Sequence, residues 1–376
     1  MNNNLLNKKL LYGVILLLFA ILFLFLIFDG YFELDRDIRI YSAEAVDIID
    51  QRITSLLFEV NVFPQFAGDD LIFLSKLSSF KKVAYSTEDS NVNLVDLEND
   101  FLAFLKESTA YYQLGYIDGQ GNEIVKVEYD RKNYMVITKE HLGNEKDEFY
   151  FTEAFNFDYK DFYISRISLN VKDEEIENRG TIENPEYVPI VLVATPVFDE
   201  NKKKMGVVFL SFYADYFLAD IRNFQREGEE IFLINEGGDY LAHSNREKEF
   251  AFIFGGDENI YKDYPEITQE ILFDYYERRF ETSDLIFSFR YLYPTIGGFR
   301  VNEFSENTFG RNPEESNFWV LVSVSDKSVI DNTVKELKSK YLYFLLFSGL
   351  IVFIIILLIF VAVFKGFDSK SFREKK

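Results

Sequence analysis

Two stretches of the chain are apolar on every side, and the residues between them are patterned. Residues 10–28 (LLYGVILLLFAILFLFLIF) and 341–364 (YLYFLLFSGLIVFIIILLIFVAVF) carry no charge. Each reaches the ~20 apolar residues that cross a bilayer core of about 30 Å. Neither shows the single stripe of a helix packed on a soluble core, so both are predicted to be transmembrane helices. The first is longer than the roughly 7–15 apolar residues of a signal peptide, and no small-x-small site follows Phe28. It is therefore read as an uncleaved anchor. Beyond it, Ile38, Ile40, Val46, Ile49, Ile53, Leu56 and Leu57 recur at helical spacing. They predict a long helix over 31–62, ended by Pro64 and Gly68-Asp69-Asp70. Further helices are expected around 70–82 and at 94–107.

From residue 111 the period shortens to that of strands. YYQLGYID (111–118) and EIVKVEYD (123–130) flank Gly119-Gln120-Gly121-Asn122 and predict a β-hairpin. DFYISRI (161–167) reads as a strand. PIVLVATPVF (189–198) and MGVVFLSFY (205–213) predict a second hairpin around Asp199-Glu200-Asn201-Lys202, followed by a helix over 214–226. A similar order recurs at smaller scale. A hairpin over 229–244 turns at Glu236-Gly237-Gly238-Asp239; a helical stretch follows at about 262–280, then strands at 284–293 and 318–325. Gly255-Gly256 and Gly297-Gly298 are read as loops. An Asp or Asn three residues before a glycine marks both 117–123 and 234–240, which suggests two related α+β modules in series. Residues 328–340 are helical and lead into the second apolar run.

Charge sets the orientation. Lys8 and Lys9 precede the first run; Lys365, Lys370, Arg373, Lys375 and Lys376 follow the second. Basic residues mark the cytoplasmic side, so both termini are expected there and everything between the runs on the other side. Tyr341 and Tyr343 sit where an interfacial aromatic belt is expected. The net charge of −22 is the opposite of a nucleic-acid-binding surface. There is no cysteine, which excludes disulfides, thiolate metal sites and a cysteine nucleophile.

The hairpins YYQLGYIDGQGNEIVKVEY, PIVLVATPVFDENKKKMGVVFLSF and EIFLINEGGDYLAHS, with FYISRISLNV and a final FWVLVSV, resemble the double Cache (dCache) sensor regions of bacterial histidine kinases, chemoreceptors and cyclic-dinucleotide enzymes. The resemblance spans about residues 30–340. It implies an α+β fold: a long N-terminal helix with two tandem PAS-like modules, flanked by two transmembrane helices. The layout it implies is a cytoplasmic N-terminus (1–9), a transmembrane helix (10–28), a helical stalk with the sensor's helices (29–110), a membrane-distal module (111–226) and a membrane-proximal module (227–327). A helix (328–340), the second transmembrane helix (341–364) and a basic cytoplasmic tail (365–376) complete it. The resemblance further implies a small ligand in the distal module, often an amino acid, carboxylate or related metabolite, and a homodimer along the first long helix. Related sensors tend to carry arginine where Gly115, Lys126 and Leu192 stand here, and their arginine-tryptophan-tyrosine run is absent. An amino-acid or dicarboxylate ligand is therefore not assigned.

Catalytic and metal chemistry find little support. His141 and His243 are the only histidines and lie far apart. Asp118-Gly119-Gln120-Gly121-Asn122-Glu123 lacks the sixth-position glycine and twelfth-position glutamate of a calcium loop. No nucleophile elbow, P-loop or dinucleotide fingerprint follows a strand. No metal, cofactor or enzymatic activity is expected. The candidate ligand-binding residues are polar groups near strand centres: Tyr112, Gln113, Lys126, Tyr163, Ser165, Arg166 and Thr195. No output domain fits into the tail 365–376, so the expected function is a membrane-anchored extracytoplasmic sensor that signals to a separate cytoplasmic partner, such as a histidine kinase or chemoreceptor output protein. The rival reading is a membrane-tethered structural or interaction module that no longer binds a ligand.

Overall fold

The structure is a computed structural model that describes residues 2–85, 91–172, 175–267, 279–295, 298–301 and 318–373. It divides into two units, one of Met1–Ile48 with Asp326–Lys376 and one of Ile49–Ser325.

In the first unit, α1 (Asn2–Leu74) contributes its first two-thirds and the last helix, α7 (Lys327–Arg373), its whole length. Each contains a segment long and apolar enough to cross a membrane. The two helices touch. The Tyr341 hydroxyl donates to the Ile27 carbonyl at 2.8 Å, and the Tyr41 hydroxyl donates to Thr333 Oγ1 at 3.0 Å. Gly30 permits this approach: a Cβ there would lie 2.6 Å from the Tyr341 ring.

The second unit begins on the remainder of α1. Ile53, Leu56, Leu57, Val60, Ala67, Leu71 and Leu74 recur three, four or seven residues apart and are all buried. They pack on one side of a seven-stranded antiparallel sheet together with α2 (Ser78–Tyr85) and α3 (Asn91–Glu107). The sheet's strands are β1 (Tyr111–Asp118), β2 (Glu123–Tyr129), β3 (Tyr134–Val136), β4 (Tyr163–Ile164), β5 (Ser168–Leu169), β8 (Pro189–Phe198) and β9 (Lys204–Tyr213), in the order β3-β2-β1-β9-β8-β4 with β5 also on β8. A separate small pair, β6 (Val171–Lys172) and β7 (Glu175–Ile176), projects between β5 and β8. The central β8 and β9 are rich in β-branched and aromatic residues, as strands buried on both sides require.

α4 (Phe149–Asn156) lies on the far side of this sheet, and α5 (Asp215–Asn223) leads to a second, six-stranded antiparallel sheet. Its strands are β10 (Glu229–Asn235), β11 (Tyr240–Ala242), β12 (Arg279–Glu281), β13 (Leu285–Thr295), β14 (Gly298–Val301) and β15 (Trp319–Asp326). Their order is β11-β10-β15-β13-β12, with β14 on β13; α6 (Ile260–Asp263) is a single short turn. Charged groups of α1 hold this sheet. Arg290 on β13 lies 3.2 Å from Asp50, which also accepts from the Ser288 hydroxyl at 2.9 Å. Arg52 pairs with Glu229 and donates to the Phe224 carbonyl at 2.9 Å.

Several expectations are corrected. The first helix does not stop at 62–70 but runs through Pro64 to Leu74. Gly68 is there for proximity rather than termination, because a Cβ would drive into the Phe162 ring. Phe63, Asp70 and Leu71 hold the helix on the sheet: Phe63 packs edge-on against Phe212, Leu71 is fully buried, and Asp70 accepts from the Tyr111 hydroxyl. Tertiary packing thus outweighs the missing proline N–H. The strand expected over 161–167 shrinks to Tyr163–Ile164. Gly298 opens a strand instead of a loop. Of the helix expected over 262–280, only 262–263 are helical, as the end of α6; 264–267 form a turn, 279–280 belong to β12, and 268–278 lie outside the described residues.

Candidate functional site

The first sheet has one side on the helical core and another covered by α4 and the segment leading to β8. Strand register decides which side chains meet on that covered side. Glu128 pairs with Gln113, Gln113 with Ser211, and Ser211 with Leu192, which makes one row across β2, β1, β9 and β8. The next row reads Lys126, Gly115, Phe209, Ala194 and Tyr163. A bulge in the β1–β9 pairing between Tyr111 and Gln113 lets Tyr112 and Gln113 share this side, whereas Tyr111 turns to α1.

Apart from Leu192, the first row and its upper border are polar. Gln113 Nε2 donates to the fully buried Ser211 hydroxyl at 3.1 Å. Above them, Tyr112 and Tyr213 lie with ring centroids 5.5 Å apart. Asn170 Nδ2 donates to the Tyr112 hydroxyl at 2.9 Å and to Glu177 at 2.8 Å. Arg179 donates to the Tyr213 hydroxyl at 3.1 Å, which itself donates to the Tyr129 carbonyl at 2.5 Å. Both Arg131 and Arg179 stack on the Tyr213 ring. Burial pushes the Tyr213 hydroxyl up to about 12 and raises that of Tyr112 further, so both stay neutral hydroxyls. Burial also raises the Glu128 carboxyl, although Lys126 and Lys172 oppose the shift. Lys126 forms an ion pair with Glu123 at 3.1 Å.

The lower row closes into an apolar cluster. Ile117, Phe151, Ala154, Ala194, Val207 and Phe209 are buried together. Phe209 occupies the space over Gly115: a Cβ at residue 115 would lie 2.5 Å from its ring.

The profile of the family described as "Bacterial histidine kinase, sensor domain" matches residues 77–284. The chain belongs to this bacterial histidine kinase sensor-domain family. Solved structures agree on the fold. The extracellular domain of a protein described as a histidine kinase, vpHK1S-Z8, aligns with a TM-score of 0.54 at 15% identity, over 80% of this chain and 98% of its own. A domain of a sensory box/GGDEF family protein from Vibrio parahaemolyticus aligns with a TM-score of 0.53 at 16% identity, over 77% and 97%. The fold is that of a double Cache sensor region. No curated protein matches the sequence.

Within this sensor-domain fold, the seven candidate residues separate. Tyr112, Gln113, Lys126 and Tyr163 share the covered side, where Tyr163 packs against the apolar cluster. The other three have different engagements. The Thr195 hydroxyl donates to the Asp161 carbonyl at 2.7 Å. The Ser165 hydroxyl accepts from the Leu192 N–H at 2.9 Å and donates to the Arg166 carbonyl at 2.8 Å, which fixes the sheet edge. Arg166 is half-exposed and pairs with Glu236 at 2.8 Å. Sequence reasoning missed Glu128, Ser211, Tyr213, Asn170 and Arg179. Ser211 had a detectable signal, as the one serine inside the apolar run VVFLSFY; Arg179 had none, because it arrives from a segment outside the sheet.

Proposed function

We propose that this chain is an extracytoplasmic small-molecule sensor, held by two membrane spans with both termini in the cytoplasm, which passes ligand binding to a separate cytoplasmic output protein. The observation that carries the reading is the polar row Glu128–Gln113–Ser211, bordered by Tyr112 and Tyr213, on the covered side of a sheet in a sensor-domain fold. A few fixed donors and acceptors beside an apolar wall are what recognition of a small ligand requires. The test is thermal unfolding of the full chain in detergent against amino acids, organic acids, amines, nucleobases and sugars. A ligand at ~100 times its Kd adds about 2.7 kcal/mol. A dose-dependent rise that Lys126→Ala or Gln113→Ala abolishes supports the reading; no rise across the panel sinks it.

A homodimer along α1 belongs to the same proposal. Phe58, Phe66 and Phe73 are exposed and fall within about a quarter-turn of one another on the helix. The chain has no cysteine, so Phe66→Cys alone should cross-link to itself if this stripe is the dimer seam. One observation favours the rival, a tethered interaction module: the apolar cluster under Phe209 fills the lower half of the candidate face. A flat ligand screen together with efficient Phe66→Cys cross-linking would support that alternative.

A further inference from the structure

His243 is buried at the end of β11, between the rings of Phe232 and Tyr240, with 3% of its surface exposed. Its two nitrogens have unequal surroundings. Nδ1 accepts from the Asn245 N–H at 2.9 Å, with the Ser244 hydroxyl further off at 3.4 Å, so it carries no proton and the neutral ring holds its hydrogen on Nε2. Nε2 lies 3.4 Å from Glu230 Oε1 and makes no hydrogen bond. Titratable groups reach this pocket from each neighbouring element: Glu230 on β10, Tyr240 on β11, Lys248 and Glu249 on the following turn, and Asp263 and Tyr264 on and after α6. Most are already engaged. Glu230 accepts from the hydroxyls of Ser244 (2.7 Å) and Tyr264 (3.0 Å), and Asp263 accepts from Lys248 (2.7 Å) and Tyr240 (2.6 Å).

A proton can enter the ring only at Nδ1, and Nδ1 faces an N–H donor. Protonation therefore sets two donors against each other and must break the Asn245 contact, while the new cation attracts Glu230 at Nε2. Asn245 is not a free end. Its side chain caps the Arg246–Lys248 turn by accepting from the Glu247 N–H at 3.0 Å. Just beyond, Glu249 accepts from the His243 N–H at 2.9 Å and holds Arg222 of α5 at 2.6 Å. α5 is the element that joins the first sheet to the second.

We propose that His243 is a proton-sensing site: acidification protonates Nδ1, releases the 243–249 turn, and loosens its hold on Arg222 at the junction between the two sheets. This input is independent of the covered face of the first sheet. The direction of the titration is consistent. Burial is the largest influence and lowers the His243 value below the ordinary 6.5, with Glu230 opposing and Lys248 adding to the fall. Folding therefore favours the neutral ring. The stability this contributes is present above about 6.5 and is lost as pH falls through the lowered value.

The chain has two histidines, so ¹³C-histidine labelling of the full chain in nanodiscs gives two ring signals to follow against free histidine in the same tube. The signal lost in His243→Gln should titrate below free histidine. Over the same pH range, amide exchange in 243–249, corrected for intrinsic rates, should rise several-fold in the wild-type chain and stay flat in His243→Gln, whose side-chain oxygen can still accept from Asn245. Glu230→Gln, which keeps both rings in place, should move the His243 titration lower still. Titration at or above free histidine, or the same rise in exchange in His243→Gln, would overturn the proposal. If His243→Gln does not fold, an unmoved titration in Glu230→Gln overturns it instead.

Discussion

The two sheets turn similar topologies to different ends. In the first, the covered side keeps a line of polar groups, Glu128, Gln113 and Ser211, beneath two hydrogen-bonded tyrosines. In the second, the corresponding space is a packed cluster of Phe232, Tyr240, Phe287, Phe289, Tyr291 and aliphatic residues; His243 lies against its Phe232 and Tyr240 rings, and the buried Ser288 and Ser323 bond Asp50 and Glu229 instead. One sheet thus keeps hydrogen-bonded polar groups near the centre of this side, while the other fills the same side with packed rings and aliphatic side chains. The difference lies in alternate residues of single strands: β9 places Ser211 among apolar neighbours where β15 places Val320, Val322 and Val324.

Four substitutions sharpen or break this contrast. Phe232→Ala, at a fully buried position in the packed sheet, should cost about 3–5 kcal/mol by denaturant titration; a cost below 1 kcal/mol would mean that the second interior is not packed as described. Gly115→Ala should cost about 1–3 kcal/mol, because the new methyl meets the Phe209 ring and the Val125 carbonyl. A neutral result would show that the lower row has room, and would reopen that half of the face to ligand. Ser211→Ala should cost only about 1 kcal/mol, the net worth of its bond with Gln113, yet should remove any ligand-induced rise in Tm. The smallest effect is expected at the turns. Asp118, Asp199 and Asn235 each accept two backbone N–H groups within the same kind of turn. The left-handed position is glycine in two of them (Gly121 and Gly238) but Lys202 in the third, at φ 63°. Lys202→Gly should therefore stabilise by up to about 1 kcal/mol, read as a small upward shift in Tm; a loss would show that the lysine side chain repays its strain.

Local signals made much of this fold legible. β1 and β8 begin and end where alternation and turn residues placed them, at 111–118 and 189–198. The third turn escaped the glycine signature because it uses Lys202, although its Asp199 anchor was visible. Pro64 and Gly68 misled for a physical reason: their meaning depends on Phe212 and Phe162, which lie about a hundred or more residues away. The candidate face was half legible. Tyr112, Gln113 and Lys126 stand out within one hairpin, but their neighbours Ser211 and Tyr213 join them only through the β1–β9 pairing, and register between distant strands is not written in either strand alone.

The paired tyrosines of the first unit bear on how such a chain can change over generations. Tyr341 is tied to Ile27, Tyr41 to Thr333, and Gly30 admits no side chain beneath the Tyr341 ring. A single-residue insertion between 27 and 41 would turn the helix by about 100° and lengthen it by 1.5 Å, uncoupling one tie from the other. Lengthening on one side without a matching change between 333 and 341 is thus penalised twice. Drift in the length of the two helices should be correlated, with Gly30 as the fixed point from which both are counted.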